Sequence, residues 1–265
     1  MIIDIEREDL IISDFLKSLE EWNKYLIIGG GYAPIIYKLY FDNVNTEISP
    51  VATRDIDTII PRIKLKNIFE EKNIDSVLIS HGFKHSSDDL LGKPPAEKYI
   101  KEIDGIEIEI EFLTDKQFRN HKEKNLKIAG VVAQTLSYIE MSYNEPLSFK
   151  TKQDFNGLVV NPAAYIFHKA LIFNKRKTGS NKKFKDLYGI WYVGSQLGEF
   201  SKNALLKLDE YKINRKTWAK KMNNELKHWL ENSSPKDWDL LENQDPSGTL
   251  NKVLFKNFIE KIIND

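Results

Sequence analysis

The stretch YLIIGGGYAPIIYKLYF, residues 25–41, decides the fold. It opens with four apolar residues that lack helical periodicity and end at three glycines, which is typical of a buried strand followed by a turn. Residues 32–41 are long and apolar enough for a helix, and Pro34 is tolerated there because it lies in the first turn. The stretch predicts a strand, a glycine turn and a helix whose first N–H groups suit a phosphate. A tight turn without a ligand is the other interpretation, because neither GxGxxG nor a P-loop is present.

A second stretch, TRDIDTII at residues 53–60, alternates with period two and is stopped by Pro61, as expected of a strand. Asp55 and Asp57 project from one face of this strand, and Ile56 projects from the other. Two neighbouring carboxylates recruit a cation or retain a proton. The chain has no Cys, so oxygen ligands favour Mg²⁺ or Mn²⁺. The polar face of an edge strand is the alternative explanation.

Residues 99–113 give the clearest local signal. Two alternating runs, YIKEI and IEIEIEFL, flank Asp104-Gly105, a dipeptide favoured in type I′ hairpin turns because both central residues need positive φ. The pattern predicts a β-hairpin.

The second strand of this hairpin carries Glu107, Glu109 and Glu111 on one face. A solvated face, with Lys98 and Lys101 nearby across the hairpin, would account for them. Like charges on one strand face nevertheless weaken a sheet. If this strand lies beside Asp55 and Asp57, one of the glutamates completes a three-carboxylate metal site.

The remaining periodicity is mainly helical beyond residue 160. We therefore predict an α/β domain over residues 1–160 and a helical domain over residues 161–265. Helices are predicted at residues 8–22, 65–79, 137–143, 162–175, 182–196, 204–211, 215–230 and 250–263, a strand and turn at 126–136, and a hairpin of 147–150 with 158–160.

Composition narrows the class of protein. Of the 265 residues, 41% are hydrophobic, which predicts a packed core. The absence of Cys excludes disulfides, thiolate zinc sites and cysteine nucleophiles. No apolar run approaches the roughly 20 residues of a transmembrane helix, and the acidic start is unlike a signal peptide. We expect a soluble cytoplasmic protein without a membrane partner. Its formal net charge of zero argues against a general nucleic-acid coat protein.

In combination, these stretches resemble the nucleotidyltransferase superfamily with the DNA polymerase β-like fold. In that family a glycine pair at a helix start is followed by an [S/T]-x-D-x-D strand and a later carboxylate. The sequence looks most like the bacterial uncharacterised and toxin-like members, a group that includes the toxin half of AbiE-type abortive-infection systems. The supporting stretches, IIGGGYAPIIY, TRDIDTII, IEIEIEFLTD, IAGVVAQTLSYIE and NPAAYIFHKALIFNKR with KKFKDLYGI, cover most of residues 25–195. The resemblance implies an α+β fold in which a mixed sheet flanked by helices precedes a mainly helical C-terminal region.

The resemblance also assigns residues. It implies that Asp55, Asp57 and Glu111 are the catalytic metal carboxylates, with Glu109 as an alternative to Glu111. Nucleotide-binding positions follow from the same motifs: Gly30, Gly31, Thr53, Lys169, Arg176, Lys185 and Asp186. Arg176 is expected on the same helix face as Lys169, seven residues earlier.

The implied reaction transfers a nucleoside monophosphate from an NTP to a hydroxyl of RNA, protein or a small molecule, with Mg²⁺ or Mn²⁺ as cofactor. A toxin-like member would also have an antitoxin partner. The competing interpretation is a catalytically degenerate scaffold that binds a nucleotide or a partner. A third places nucleic-acid binding on the Lys-rich loop at residues 174–185, for which a solvated linker is the alternative.

Overall fold

The computed structural model describes residues 2–42, 46–65, 72–88, 96–116, 125–176 and 181–264. The chain divides into two compact units. The sheet unit comprises Asp4–Ala33 and Thr53–Val160, and the helical unit comprises Met1–Ile3, Pro34–Ala52 and Asn161–Asp265. The assignment changes between Val160 and Asn161, and Pro34–Ala52 group with the helical unit.

Within the described residues, the sheet unit is built on a mixed sheet of nine strands. Seven strands follow the order β3-β4-β5-β2-β1-β9-β8, and β7 pairs with β5 and β6. The pairs β2 with β5, β1 with β9 and β5 with β7 are parallel. The strands are β1 (Ile27–Ile28), β2 (Asp55–Ile59), β3 (Lys84–Asp88), β4 (Ala96–Ile103), β5 (Ile106–Asp115), β6 (Asn125–Ile128), β7 (Val131–Leu136), β8 (Leu147–Lys150) and β9 (Asn156–Val159).

Helices of the sheet unit follow from their caps and apolar faces. In α1 (Ile5–Ser18), the Asp4 side chain accepts hydrogen bonds from the N–H groups of Glu6 and Arg7, as an N-cap should. Three further helices are α2 (Tyr32–Tyr40), which begins in this unit, α3 (Arg62–Leu65) and α4 (Ile74–Ser80). The predicted helix at 65–79 falls partly on residues 66–71, which lie outside the described residues.

The predicted hairpin is confirmed by β4 and β5. Asp104 and Gly105 have φ of 51° and 72°, the two positive values that a type I′ turn requires. The second hairpin, β8 with β9, is also antiparallel as predicted. Its second strand, β9 (Asn156–Val159), begins two residues before the predicted strand at 158–160 and ends one residue earlier.

Beyond residue 160 the first helix of the helical unit is α5, which starts at Pro162. The side chain of Asn161, the N-cap residue, accepts a hydrogen bond from the N–H of Ala163. Helix α9 was not predicted, although its capping box of Ser234 and Asp237 is a sequence-readable start signal. The helices are α5 (Pro162–Ile172), α6 (Asn181–Ser195), α7 (Glu199–Asn214), α8 (Lys216–Asn232), α9 (Pro235–Glu242) and α10 (Lys252–Asn264).

The predicted α+β class, with a mixed sheet and a mainly helical C-terminal region, is confirmed. Within the described ranges, no helix combines the length and apolarity that crossing a bilayer requires.

Candidate active site

Strands β2 and β5 bring four acidic residues together. They pair in parallel, with Asp55 opposite Glu109 and Asp57 opposite Glu111. Neighbouring strands lie about 4.8 Å apart, and registered residues share a face. Strands β2 and β5 are therefore neighbours in one sheet, as the matching alternation predicts. The register places Asp57 directly opposite Glu111.

The aspartates occupy the polar face of a buried strand. Ile56 is fully buried, whereas Asp55 and Asp57 on either side of it are half-buried. The backbone N–H of Asp55 donates a 3.2 Å hydrogen bond to Thr53 Oγ1, so the threonine of the TRDID stretch fixes the start of β2. Both carboxylates thus stand on a rigid element but remain accessible.

The glycine turn is packed directly on this strand. Gly29 N–H donates to the carbonyl of Asp57 at 2.8 Å. Gly30 has φ of +55°, and a Cβ there would lie 1.6 Å from Asp57 Oδ2. A Cβ at Gly31 would lie 3.1 Å from Thr53 Cγ2. Gly30 is therefore required both for its backbone conformation and because the Asp57 carboxylate occupies the space of a side chain.

Glu8 is a buried residue that sequence reasoning missed. Its carboxylate accepts hydrogen bonds from Tyr32 Oη at 2.8 Å and from Arg54 Nη1 at 3.2 Å. Burial, followed by the charge of Glu8, raises the pKa of Tyr32 well above its usual range. Since Tyr32 follows the glycine turn and Arg54 precedes Asp55, Glu8 ties together the two segments that carry the site. Its partners are distant in sequence, so no local pattern indicates it.

Lys98 on β4 bridges Glu109 and Glu111 and offsets one of their two negative charges. Its Nζ lies 2.7 Å from Glu109 Oε2 and 3.1 Å from Glu111 Oε1. The hydrogen bond to Glu109 contributes most to a raised pKa of Lys98, so the ammonium stays charged. Lys101, the other lysine expected near these glutamates, pairs instead with Asp14 at 2.6 Å.

The donor chemistry of the site suits a divalent cation only in part. Asp55 and Asp57 offer hard oxygen ligands on one face, as Mg²⁺ prefers. Among the residues that the structure describes, however, no group of three or more acidic or imidazole side chains is arranged to hold a metal ion. The glutamates opposite the aspartates are held by Lys98. The aspartates fit a metal site, and the third carboxylate would have to change partner to complete it.

The other predicted nucleotide-binding residues belong to the helical unit. Asp186 Oδ1 lies 2.6 Å from Lys169 Nζ, and Asp186 Oδ2 lies 2.9 Å from Arg176 Nε. Burial alone would raise the pKa of Asp186, but the charges of Lys169 and Arg176 together outweigh it and hold that pKa below its usual value. Lys185 is exposed on α6.

One expectation about this cluster is wrong. Helix α5 ends at Ile172 and a single 3₁₀ turn follows, so Arg176 does not share a helix face with Lys169. Arg176 reaches Asp186 from extended backbone after that turn. The two cations meet on one carboxylate through tertiary packing rather than through helical spacing.

The chain was compared with solved structures and with curated proteins. The chain is similar in structure to JHP933 from Helicobacter pylori, with 9% identity over 100% of this chain and 94% of that one and a TM-score of 0.42. It is also similar to an antigenic nucleotidyltransferase-like protein from Paracoccidioides brasiliensis, with 15% identity over 80% of this chain and 92% of that one and a TM-score of 0.37. No curated protein gives a significant match.

A family model described as nucleotidyltransferase matches residues 12–210, which is more than half of the chain. The matched range includes the glycine turn, β2, β5 and the cluster around Asp186. The glycine turn pressed against an Asp-x-Asp strand and the extent of that match lead to the same conclusion: this chain belongs to the nucleotidyltransferase family.

Proposed function

We propose that the protein transfers a nucleoside monophosphate from an NTP to a hydroxyl group of RNA, a protein or a small molecule. The acceptor oxygen attacks the α-phosphorus, the bond to the β-phosphate oxygen breaks, and pyrophosphate leaves. The observation that carries the proposal is the packing of Gly30 on the Asp57 carboxylate. It places a turn suited to phosphate against a strand suited to a cation.

The glycine turn would bind the triphosphate. Gly30 and Gly31 immediately precede α2, whose dipole favours an anion at this end. In the first turn Ala33 N–H donates to the Gly29 carbonyl and Pro34 has no N–H, so the proposed donors are the amides of the glycines themselves. Thr53 packs on Gly31 and holds the start of β2, so it would position both halves of the site. The chain's contribution at this point is orientation of the reacting phosphate.

The acidic face, formed by Asp55, Asp57, Glu109 and Glu111, would hold the metal. Asp55 and Asp57 are the proposed ligands, joined by Glu111 or Glu109. When bound there, two Mg²⁺ or Mn²⁺ ions would supply charge stabilisation for the attacking oxygen and the leaving pyrophosphate. Glu111, opposite Asp57, would accept the proton of the acceptor hydroxyl on its carboxylate oxygen.

The family resemblance assigns a role to three cations of the helical unit. By that resemblance Lys169, Arg176 and Lys185 would offset the charge of the triphosphate, with Asp186 orienting the first two. Asp186 keeps two long side chains in one place, which lowers the entropy that they lose on binding a phosphate.

The deciding experiment incubates the protein with each α-³²P-labelled NTP, Mg²⁺ or Mn²⁺ and a cell extract, and follows which macromolecule acquires label. We expect transfer by the wild type and its loss in Asp57→Asn, which keeps the side-chain size and removes one charge. Glu107→Gln is the control, because Glu107 is also a carboxylate, lies on the neighbouring strand β5 and is exposed outside the proposed ligand set. Equal transfer by wild type and Asp57→Asn would contradict the proposal.

A toxin-like role with a protein antitoxin extends this proposal. Induced expression of the wild type should then arrest growth of a bacterial host, and Asp57→Asn should not. Growth arrest by both proteins would show that the arrest does not depend on nucleotidyl transfer.

One observation favours the second candidate, a degenerate scaffold that binds a nucleotide or a partner without transfer. Lys98 engages both glutamates that could supply the third metal ligand. In that case NTP would raise the thermal midpoint of the wild type in EDTA as much as in Mg²⁺, and no label would be transferred. Stabilisation that requires Mg²⁺ would exclude this candidate.

A further inference from the structure

Lys98 lies on β4, beside the glutamates of β5. It is opposite Glu111 in the antiparallel pairing of β4 with β5, and its Nζ bridges Glu109 and Glu111. The same two glutamates lie opposite Asp55 and Asp57 on the other side of β5. One ammonium group therefore holds the two carboxylates that face the proposed metal ligands.

The Lys98 ammonium can be replaced by another cation on Glu109 and Glu111. The side chains of Lys98, Glu109 and Glu111 keep 26%, 27% and 31% of their surface exposed, so an incoming ion can reach the oxygens without opening the core. A partly exposed ion pair contributes little to stability because water competes for both partners. A divalent cation with carboxylate ligands would replace one charge by two at similar distance.

We infer that Lys98 is a positioning residue that controls divalent metal binding, by holding Glu109 and Glu111 until a metal ion takes its place on a carboxylate. The inference rests on the proposed function. It explains why the described residues contain a metal-like set of carboxylates but no assembled three-ligand group. Lys98 and the metal ion compete for the same oxygens, so the lysine offsets part of the negative charge without metal and weakens metal affinity.

The test is a titration of the full chain with Mn²⁺ alone, following free Mn²⁺ by electron paramagnetic resonance. Lys98→Met removes the competing charge and keeps much of the side-chain volume. We expect its Mn²⁺ dissociation constant to fall at least about tenfold relative to wild type. A role limited to holding the strands together predicts the opposite, because a loosened sheet would bind the ion more weakly.

Two further variants make the result specific. Lys101→Met is the matched control, since Lys101 lies on the same strand in a comparably exposed ion pair with Asp14 and does not contact the glutamates. It should leave the Mn²⁺ affinity unchanged. Lys98→Arg retains the charge and should bind Mn²⁺ nearly as wild type does.

Failure of this inference can be told apart from failure of the proposed function. If wild type and Lys98→Met bind Mn²⁺ equally, or if Lys98→Met binds it more weakly, Lys98 does not compete with the metal, while metal-dependent transfer stands. If neither protein binds Mn²⁺, both the inference and the metal dependence are wrong.

Discussion

The chain contains two clusters that are opposite in charge and in exposure. In the sheet unit, one cation, Lys98, bridges two carboxylates, and all three side chains are partly exposed. In the helical unit, one carboxylate, Asp186, holds two cations, and its own side chain is only 5% exposed. The contacts have similar lengths, so distance does not distinguish them. Burial distinguishes the two clusters. Losing one partner of a buried ion pair destabilises the fold strongly, whereas losing one partner of an exposed pair costs little.

The largest expected loss of unfolding free energy is that of Asp186→Asn. It leaves the ammonium of Lys169, itself 12% exposed, without its counter-charge. Removing one partner of a buried pair costs about 3 to 5 kcal/mol. Thermal and urea unfolding should show a loss of that order. Asp154→Asn is the control, since Asp154 forms an exposed pair with Lys150 and its loss should cost little. Equal losses would remove the distinction between buried and exposed clusters.

Acid should reduce the difference in unfolding free energy between wild type and Asp186→Asn. The folded-state pKa of Asp186 lies below its ordinary value of 3.8, so the carboxylate stabilises the fold above that pH and this contribution is lost as the pH falls through the folded-state pKa. The gap in unfolding free energy between wild type and Asp186→Asn should therefore be constant from pH 7 to about 5 and shrink below about 4. Urea unfolding of both proteins at each pH measures it. A gap that widens in acid would contradict the sign.

Glu8→Gln tests whether the stability cost of losing an ion pair depends on its burial or on the unit to which it belongs. Glu8 belongs to the sheet unit but its side chain is only 3% exposed. Glutamine can still accept from Tyr32 Oη while losing the charge that pairs with Arg54. We expect a loss of about 1 to 2 kcal/mol in unfolding free energy. NTP binding should weaken as well, because Tyr32 and Arg54 flank the site segments. A neutral substitution would mean that burial alone does not set the cost.

Lys98→Met should have the smallest effect on the metal-free protein. Its contacts are partly exposed, and such pairs contribute about 1 kcal/mol or less. Urea unfolding in EDTA should show a loss within that limit, matched by Lys101→Met. A loss as large as that of Asp186→Asn would show that the Lys98 cluster is structural, and would break the comparison.

The parts of the fold that sequence predicted are those with local causes. Asp104-Gly105 specifies its turn because only a few dipeptides accept two positive φ values. The alternation of Asp55 and Asp57 with isoleucine predicted their shared face, and the same period in β5 predicted a strand with its glutamates on one face. These features depend on residues within a few positions of each other.

Long-range partners could not be predicted in the same way. Glu8 meets Arg54 across 46 residues, and Asp186 meets Lys169 across 17. No periodicity encodes such contacts, which depend on how finished elements pack. Lys98 was identified as a neighbour of the glutamates through the hairpin register, but its bridging of two of them depends on side-chain conformation. The error at Arg176 has the same origin, because helix α5 ended earlier than its apolar pattern indicated.

The register of β4, β5 and β2 also implies an order of events during folding. Lys98 and Glu109 are only 11 residues apart in a tight hairpin, a contact that a chain closes in microseconds. The parallel pairing of β2 with β5 must close a much longer loop, which is slower. We expect the glutamates to be paired with Lys98 inside the hairpin before the aspartate strand arrives, so that four carboxylates never meet without a cation. Pulse-labelling hydrogen exchange would show the amides of β4 and β5 protected before those of β2, and simultaneous protection would exclude this order.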